Sequence, residues 1–288
     1  MSVDPVALGY LAGWKVVRHL PQPVVEKLFD AAADRACEDG RGMDMLRRNL
    51  TRVVGAENVT RDLVRASMRS YARYWREAFR LPSMLDDPLL DARFATGVTG
   101  REHLDASLAR GRGVILTLPH SGNWDMAGLY LTRIHGQFTT VAERLRPEVL
   151  YRAFVDYRET LGFEVLPLTG GQPPYPRLQE ALEAGGVVAL MGERDLRGTG
   201  VPVEFFGEET TFPRGSAQLA LDTGAALHAV HCWFTADGWG LSASPALEVD
   251  TLEATTQRIA DQFAANIAAH PEDWHMLQPQ WPADRRRR

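Results

Sequence analysis

Residues 113–125 read GVILTLPHSGNWD, and this stretch decides the fold. It opens with a short apolar run bounded by a glycine and a proline, which predicts a buried strand over Gly113 to Leu118. Trp124 to Ile134 then has the character of a helix, with a polar turn between the two elements. A strand that passes through a short turn into a helix indicates a parallel α/β arrangement.

The same alternation continues on both sides of this stretch, from about residue 99 to residue 281. Further strands are predicted at Phe138 to Ala142, Glu164 to Leu168, Val187 to Met191 and Leu227 to Phe234, with Asp237-Gly238 turning into a strand at Gly240 to Ala243. Helices are predicted at Glu102 to Ala109, Pro147 to Leu161, Pro176 to Ala184, Arg214 to Thr223 and Leu252 to His270. The sequence therefore predicts an α/β domain in which helices flank a central, largely parallel β-sheet.

The first third of the chain reads as helix. Helical segments are predicted at residues 5–20, from Val24, at Asp44 to Val54 and from Thr60 to Phe79, where Thr60 is the capping residue. The last of these carries arginines every three or four residues, at 61, 65, 69, 73, 76 and 80. We expect one domain over 1–288, with a helical N-terminal part (1–98), an α/β core (99–281) and a basic tail (282–288) whose four arginines are frayed.

Composition narrows the class of protein. The chain has 288 residues, 24% charged and 45% hydrophobic, with a formal net charge of −5. This balance is typical of a globular protein and argues against nucleic acid as a partner. Two cysteines without a metal or disulfide pattern, no signal peptide and no apolar run of membrane-spanning length predict a cytoplasmic protein.

Ionisable residues follow two of the predicted strands. His120 and Asp125 lie in the turn after the first strand, and Glu193 lies directly after the strand from Val187. The carboxyl ends of parallel strands meet at one edge of the sheet, where ligands bind. A carboxylate on one imidazole nitrogen fixes the tautomer and leaves the other nitrogen free to take a proton. Either Asp125 or Glu193 is a candidate for that carboxylate.

Other interpretations of the turn are weaker. It can be a structural loop in which Asn123 or Asp125 caps a helix. No G-x-S-x-G elbow is present, and Ser121 points away from its neighbour His120, which argues against a serine hydrolase. A metal site built from His120, Asp125 and Glu193 is conceivable, but H-E-x-x-H spacing is absent, so we expect no metal. His228 and His231 read as packing residues.

Several segments together resemble a known family. They are SYARYWRE (70–77), LPHSGNWD (118–125), VAERL (141–145), YRE (157–159), LGFEV (161–165), ERD (193–195), VEFFG (203–207) and DWHML (273–277) through Trp281. H-x-x-x-x-D in a strand-to-helix turn resembles the signature of glycerolipid-type acyltransferases. The full set is similar to the bacterial lipid acyltransferases that include the late enzymes of lipid A synthesis, and especially to actinobacterial members that acylate phosphatidylinositol mannosides.

The resemblance implies transfer of a palmitoyl-type chain from acyl-CoA to a mannose hydroxyl of a phosphatidylinositol mannoside, without a cofactor. His120 is then the general base, with Glu193 favoured as its direct partner and Asp125 as support for the loop. Alternatives are an acyl-CoA or lipid thioesterase and a non-catalytic lipid-binding protein. An apolar groove for the acyl chain must exist, although its walls cannot be placed from sequence.

Substrate-binding residues are expected around these groups. The candidates are Asn123, Trp124, Arg158 and Arg194, and Arg194 or Arg197 with the start of the Arg214 helix are candidates for binding the CoA phosphates. A lipid acceptor places the protein, as a monomer, on the cytoplasmic face of the plasma membrane. The helix at 5–20, with Tyr10, Trp14, Lys15 and Arg18, and the arginine series from 61 to 80 are candidate membrane contacts, or else packing and acid-paired faces.

Overall fold

The computed structural model describes residues 13–14, 16–85, 87–144, 146–196 and 198–285. The strands are β1 Val98–Thr99, β2 Val114–Leu118, β3 Phe138–Ala142, β4 Phe163–Pro167, β5 Val187–Met191, β6 Val201–Phe205, β7 Glu208–Phe212, β8 Ala226–Phe234 and β9 Trp239–Ala243. Seven of these described strands form one sheet in the order β1-β9-β8-β2-β5-β3-β4, and β6 and β7 form a separate hairpin. Within the large sheet β8 and β9 are antiparallel, and the other neighbours are parallel.

Helices cover both faces of the sheet. They are α1 Gln22–Ala36, α2 Asp44–Val54, α3 Arg61–Met84, α4 Leu90–Ala95, α5 Arg101–Leu108, α6 Trp124–His135, α7 Glu148–Thr160, α8 Pro174–Glu183, α9 Gly215–Thr223 and α10 Leu252–Ala269. This arrangement confirms the predicted single-domain α/β fold with a helical N-terminal third. No helix among the described residues is both long enough and apolar enough to cross a bilayer.

The central strand β2 shows why the apolar run becomes the middle of the sheet. All five of its residues are buried. Ile115 joins the apolar cluster that includes α9 and α10, whereas Leu116 joins the cluster that includes α6 on the opposite face. Successive side chains of a strand point to opposite faces, so a strand between two helical layers needs apolar residues at both sets of positions.

The N-terminal helices have a small core of their own. Leu46 and Leu50 of α2 pack with Val64 and Met68 of α3. The α2 bounds match the prediction, and Thr60 caps α3 by accepting a hydrogen bond from the Leu63 amide. Helix α3 runs five residues beyond the predicted end at Phe79, because its last turns stay packed on the main core through the buried Leu81.

Five arginines of α3 bond within the protein. Their partners are Asp62 for Arg65, Asp34 for Arg69, Glu77 for Arg73, Glu26 for Arg76, and the carbonyls of Val17 and Leu20 for Arg80. The acid-paired alternative describes four of these five, and their contact with lipid phosphates stays a prediction.

The segment 5–20 is only partly described. Residues 13–14 and 16–19 are helical, while Tyr10 and Lys15 lie outside the described residues. Trp14 packs on Phe79, Phe154 and Tyr157, and its indole N–H donates to the Phe79 carbonyl at 2.9 Å. The contacts of Trp14 thus fit the packing alternative for this segment.

Several regions depart from the predicted elements, and helix α4 at Leu90–Ala95 and strand β1 at Val98–Thr99 were among those not predicted. The β6–β7 hairpin was not predicted, although Val201, Val203 and Phe205 alternate with exposed residues. Sequence rules do not predict this hairpin for two reasons. Proline, here Pro202, argues against a strand, and the Phe206-Gly207 turn, in which both residues have positive φ, lacks the usual asparagine or aspartate. At the other end, the predicted basic tail starts as a 3-10 turn at Pro282–Asp284, and residues 286–288 lie outside the described part.

Candidate active site

His120 and Glu193 meet at the carboxyl edge of the sheet. They follow β2 and β5, which are adjacent parallel strands, and the Gly192 amide donates to the Leu118 carbonyl to hold the two strand ends together. Imidazole Nδ1 lies 2.9 Å from each Glu193 carboxylate oxygen. The backbone N–H of His120 donates to Glu193 Oε1 at 2.6 Å. One carboxylate therefore holds both the main chain and the ring of the histidine.

The surroundings favour an ionised Glu193. The side chain is completely buried, and Gln280 Nε2 donates to the Glu193 carbonyl. Burial alone raises the pKa of a carboxyl, but the His120 ring and its hydrogen bonds more than offset this and lower the pKa of Glu193 below its ordinary value. An ionised Glu193 accepts a hydrogen bond from Nδ1–H, so the lone pair of the imidazole is on Nε2.

Asp125 has a different partner. Its carboxylate accepts hydrogen bonds from Arg158 Nε at 2.7 Å, from Arg158 Nη2 at 3.2 Å and from the Tyr74 hydroxyl at 3.2 Å. Burial lowers the pKa of a guanidinium, but the Asp125 charge raises the pKa of Arg158 above its ordinary value. The open choice between the two carboxylates is thus settled geometrically: Glu193 contacts His120, and Asp125 holds Arg158.

The Asn123 side chain makes its hydrogen bonds within the protein. It is 1% exposed, and its Oδ1 caps α6 by accepting from the Met126 amide. Its Nδ2 donates to buried Glu77, which also accepts from Trp239 Nε1. Both ends of its amide are thus used inside the protein, and its substrate-binding role stays a prediction.

Trp124, Arg158 and Arg194 all line a cavity beside His120. The Trp124 ring stands edge-on to the imidazole, with ring centroids 5.6 Å apart. Arg194 also donates to Gln278 Oε1 at 2.9 Å. These three candidates are placed where a bound molecule would touch them. Arg197, the further candidate for a CoA phosphate, lies outside the described residues.

The cavity has a volume of about 370 Å³ and runs from His120 between α6 and the sheet. Its walls are mainly apolar, with Leu116, Leu118, Ala127, Leu131, Phe138, Ala189, Val230 and Leu241 among them. Gly128 lets α6 approach the sheet, since a Cβ there would lie 2.4 Å from the Phe163 ring. The shape and lining suit a long hydrocarbon chain with its polar end at His120.

The serine, metal and histidine alternatives from the sequence can be compared with the contacts in the structure. Ser121 is fully buried, and its Oγ lies 3.4 Å from His231 Nδ1, so it is not paired with His120. Among the described residues His120, Asp125 and Glu193 do not form a set of metal ligands. His228 and His231 are buried packing residues, as predicted.

Sequence reasoning assigned no role to a third group at this site. His275 lines the cavity, and its backbone N–H donates to the His120 carbonyl at 2.8 Å. Ser70 and Asp273 bond to one another behind it. The DWHML segment at 273–277 was visible as a motif, but nothing local in it indicates which neighbour its histidine meets.

The fold and the site define a class of protein: an α/β enzyme in which a buried glutamate orients a histidine at the mouth of an apolar cavity. The chain belongs to the bacterial lipid A biosynthesis acyltransferase family, whose family model matches residues 6–283. This confirms the resemblance carried by the sequence motifs.

Two curated relatives cover nearly the whole chain. A phosphatidylinositol mannoside acyltransferase of Mycolicibacterium smegmatis is 56% identical over 96% of this chain and 91% of its own length. A protein of the same name from Mycobacterium tuberculosis is 55% identical over 96% of this chain and 88% of its own length.

Proposed function

We propose that the protein transfers a palmitoyl-type chain from acyl-CoA to a mannose hydroxyl of a phosphatidylinositol mannoside. The observation that carries this proposal is the Glu193–His120 pair at the mouth of an apolar cavity. The acceptor follows from the names of the relatives at 55–56% identity. Acyl-CoA as the donor follows from the resemblance to glycerolipid-type acyltransferases.

The reaction needs one base and no covalent enzyme intermediate. His120 Nε2 takes the proton of the mannose hydroxyl as the oxygen attacks the thioester carbonyl carbon. The C–S bond of the resulting tetrahedral intermediate then breaks, and the CoA sulfur takes the proton from the imidazolium. The products are the mannosyl ester and free CoA. No metal or cofactor takes part in these steps.

Two charges develop in this reaction, a positive one on the imidazolium and a negative one on the oxyanion. Glu193 faces the first, and Arg158 is the candidate for the second. The ionised Glu193 stabilises the positive imidazolium while holding it in orientation. Arg158 donates two of its N–H groups to Asp125 and lines the cavity, so its remaining donors are available to the substrate or the developing oxyanion. Trp124 and Arg194 contact the substrate at the same mouth.

Acyl-chain burial supplies much of the donor affinity. At ~0.8 kcal/mol per buried methylene, a palmitoyl tail offers on the order of 10 kcal/mol. The cavity between α6 and the sheet is the place for this tail, and the thioester then lies beside His120. The acceptor approaches from solvent, on the exposed side of the imidazole.

An Ala127→Phe substitution tests this placement of the tail. The larger side chain excludes methylenes from the cavity, and loss of about four of them reduces kcat/KM for palmitoyl-CoA by about 100-fold. Butyryl-CoA, which does not reach so deep, loses much less. Ala268→Phe, on the exposed face of α10, is the matched control. Equal losses with both donors would contradict the placement.

The activity itself is tested with labelled palmitoyl-CoA, with and without the mannosylated lipid. We expect a labelled acylated mannoside that forms only when the acceptor is present. Release of free palmitate regardless of acceptor would replace the proposal with a thioesterase. Binding of palmitoyl-CoA without turnover would replace it with a lipid-binding protein.

A lipid acceptor implies contact with a bilayer, and we propose peripheral association of a monomer with the cytoplasmic face of the plasma membrane. Supporting this, Val24 and Leu28 lie one turn apart on α1 and are 52% and 55% exposed, and Val16 is 58% exposed. Exposed apolar side chains on neighbouring helical segments suit an interfacial surface.

A further inference from the structure

Ser70, Asp273 and His275 form a buried hydrogen-bonded chain next to His120. The Ser70 hydroxyl donates to Asp273 Oδ1 at 2.5 Å, and the same Oγ lies 2.9 Å from His275 Nε2. All three side chains are less than 10% exposed. The proposed reaction steps use none of them, although the His275 ring lines the substrate cavity.

The hydrogen-bond directions in this chain follow from charge. Asp273 Oδ2 accepts the Phe234 amide N–H at 2.8 Å. Burial raises the pKa of Asp273 to about 6, so the carboxyl is mainly ionised at about pH 7.5. A carboxylate only accepts, and Ser70 must therefore donate its one proton to Asp273. The Ser70 oxygen is then left to accept from His275.

His275 is consequently held in one tautomer. Burial lowers the pKa of His275 to about 3, with repulsion from His120 adding to the effect, so the ring is neutral. A neutral imidazole has one N–H, and Ser70 requires it on Nε2. The lone pair is then on Nδ1, a buried atom that has no hydrogen-bond partner among the described residues.

The His275 residue lies beside the proposed base. The His275 amide donates to the His120 carbonyl, and the Trp124 ring packs edge-on against both imidazoles. A buried acceptor without a donor is destabilising, and a ligand hydroxyl that donates to it relieves this cost. The mannose ring of the proposed acceptor carries several such hydroxyls.

We propose that the Asp273–Ser70 pair locks His275 as the Nε2–H tautomer, so that Nδ1 accepts a hydrogen bond from an acceptor hydroxyl that is not acylated. His275 is then a substrate-binding residue, and Ser70 and Asp273 are positioning residues that act through it. The part that concerns the substrate rests on the proposed function. The part that concerns the tautomer does not.

The tautomer is measured directly by NMR of full-length protein labelled with nitrogen-15 in histidine, with His275 assigned from a His275→Asn variant. Wild type is expected to show the proton on Nε2. In Asp273→Asn, the amide oxygen keeps the Phe234 N–H and the NH₂ donates to Ser70, which then donates to Nε2. We therefore expect the proton of His275 to move to Nδ1 in this variant.

Ser70→Ala removes the link, so both tautomers are expected. Ser67→Ala is the matched control, because Ser67 is a buried serine of the same helix whose hydroxyl bonds only to the Leu63 carbonyl. A wild-type proton on Nδ1 would overturn the proposal. So would a tautomer that is unchanged in both Ser70→Ala and Asp273→Asn proteins whose circular dichroism shows a native fold.

Kinetics test the contact with the acceptor. Asp273→Asn is expected to raise KM for the mannosylated lipid about 10-fold, as expected for one lost hydrogen bond, with a much smaller change in KM for palmitoyl-CoA. Ser70→Ala keeps the competent tautomer in about half of the molecules and is expected to raise the same KM about 2-fold. Ser67→Ala leaves both constants as in wild type. Equal changes in the two KM values would overturn the substrate contact. A wild-type protein that transfers nothing would refute the proposed function, while the NMR result still decides the tautomer.

Discussion

Replacing His120 with alanine is expected to lower acceptor-dependent acyl transfer by about 10²–10⁴-fold, the range that a positioned general base contributes. The mannose hydroxyl has a pKa far above neutral and is a poor nucleophile until its proton has an acceptor. His120 is placed for this, because Glu193 occupies Nδ1 and leaves Nε2 free. The measurement is the initial rate of labelled mannoside ester at saturating palmitoyl-CoA.

The fall must be in kcat rather than in donor binding. In the proposed placement the cavity and not the imidazole holds the acyl tail, so the Kd for palmitoyl-CoA is expected to stay within a few-fold of wild type. His103→Ala is the matched control, since His103 is a partly exposed histidine on α5 that does not line the cavity. A His120→Ala enzyme that keeps more than a tenth of the wild-type rate would refute the assigned base.

Glu193→Gln is expected to reduce transfer nearly as much as loss of the histidine, by about 10²–10⁴-fold. The glutamine oxygen can still accept the His120 backbone N–H, which lies 2.6 Å from Oε1 in the native protein. Its NH₂ group then faces Nδ1 and donates to it. The imidazole proton moves to Nε2, so the nitrogen that must accept the hydroxyl proton no longer has a lone pair.

A double-mutant cycle separates this explanation from general damage. If Glu193 acts only through His120, the double variant His120→Ala/Glu193→Gln is expected to be about as slow as His120→Ala alone. Glu248→Gln, at a carboxylate whose side chain is 76% exposed, is the control for loss of a charge. Additive losses in the double variant would show that Glu193 acts independently of the histidine.

The α/β fold was largely predictable because the buried strands are short apolar runs between glycine, proline and polar turns. The boundaries of α2 and the cap at Thr60 could likewise be predicted from the local sequence. The β6–β7 hairpin was missed because its turn, Phe206-Gly207, lacks the usual asparagine or aspartate, and only its pairing and its packing on the core hold it in place.

The sequence predicted two residues of the candidate site, His120 and Glu193, but not the third, His275. His120 and Glu193 follow apolar strands, and parallel strands bring their carboxyl ends to one edge. Ser70 and His275 are 205 residues apart and share no periodic pattern. Asn123 shows the opposite case: its place beside the histidine indicated a ligand contact, whereas Glu77 and the cap of α6 use both ends of its amide.

The sequence by itself determined the layers of the fold, the strand ends that carry His120 and Glu193, and the family. All three can be predicted from the local spacing of hydrophobic residues, from the turn residues and from short motifs. Only the tertiary structure decided which carboxylate holds the histidine, where the apolar cavity runs, and which acids pair with four of the arginines of α3. The physical reason is that charge pairing and cavity shape depend on distances of a few ångströms between segments far apart in the chain. Those distances are set by how the strands and helices pack together.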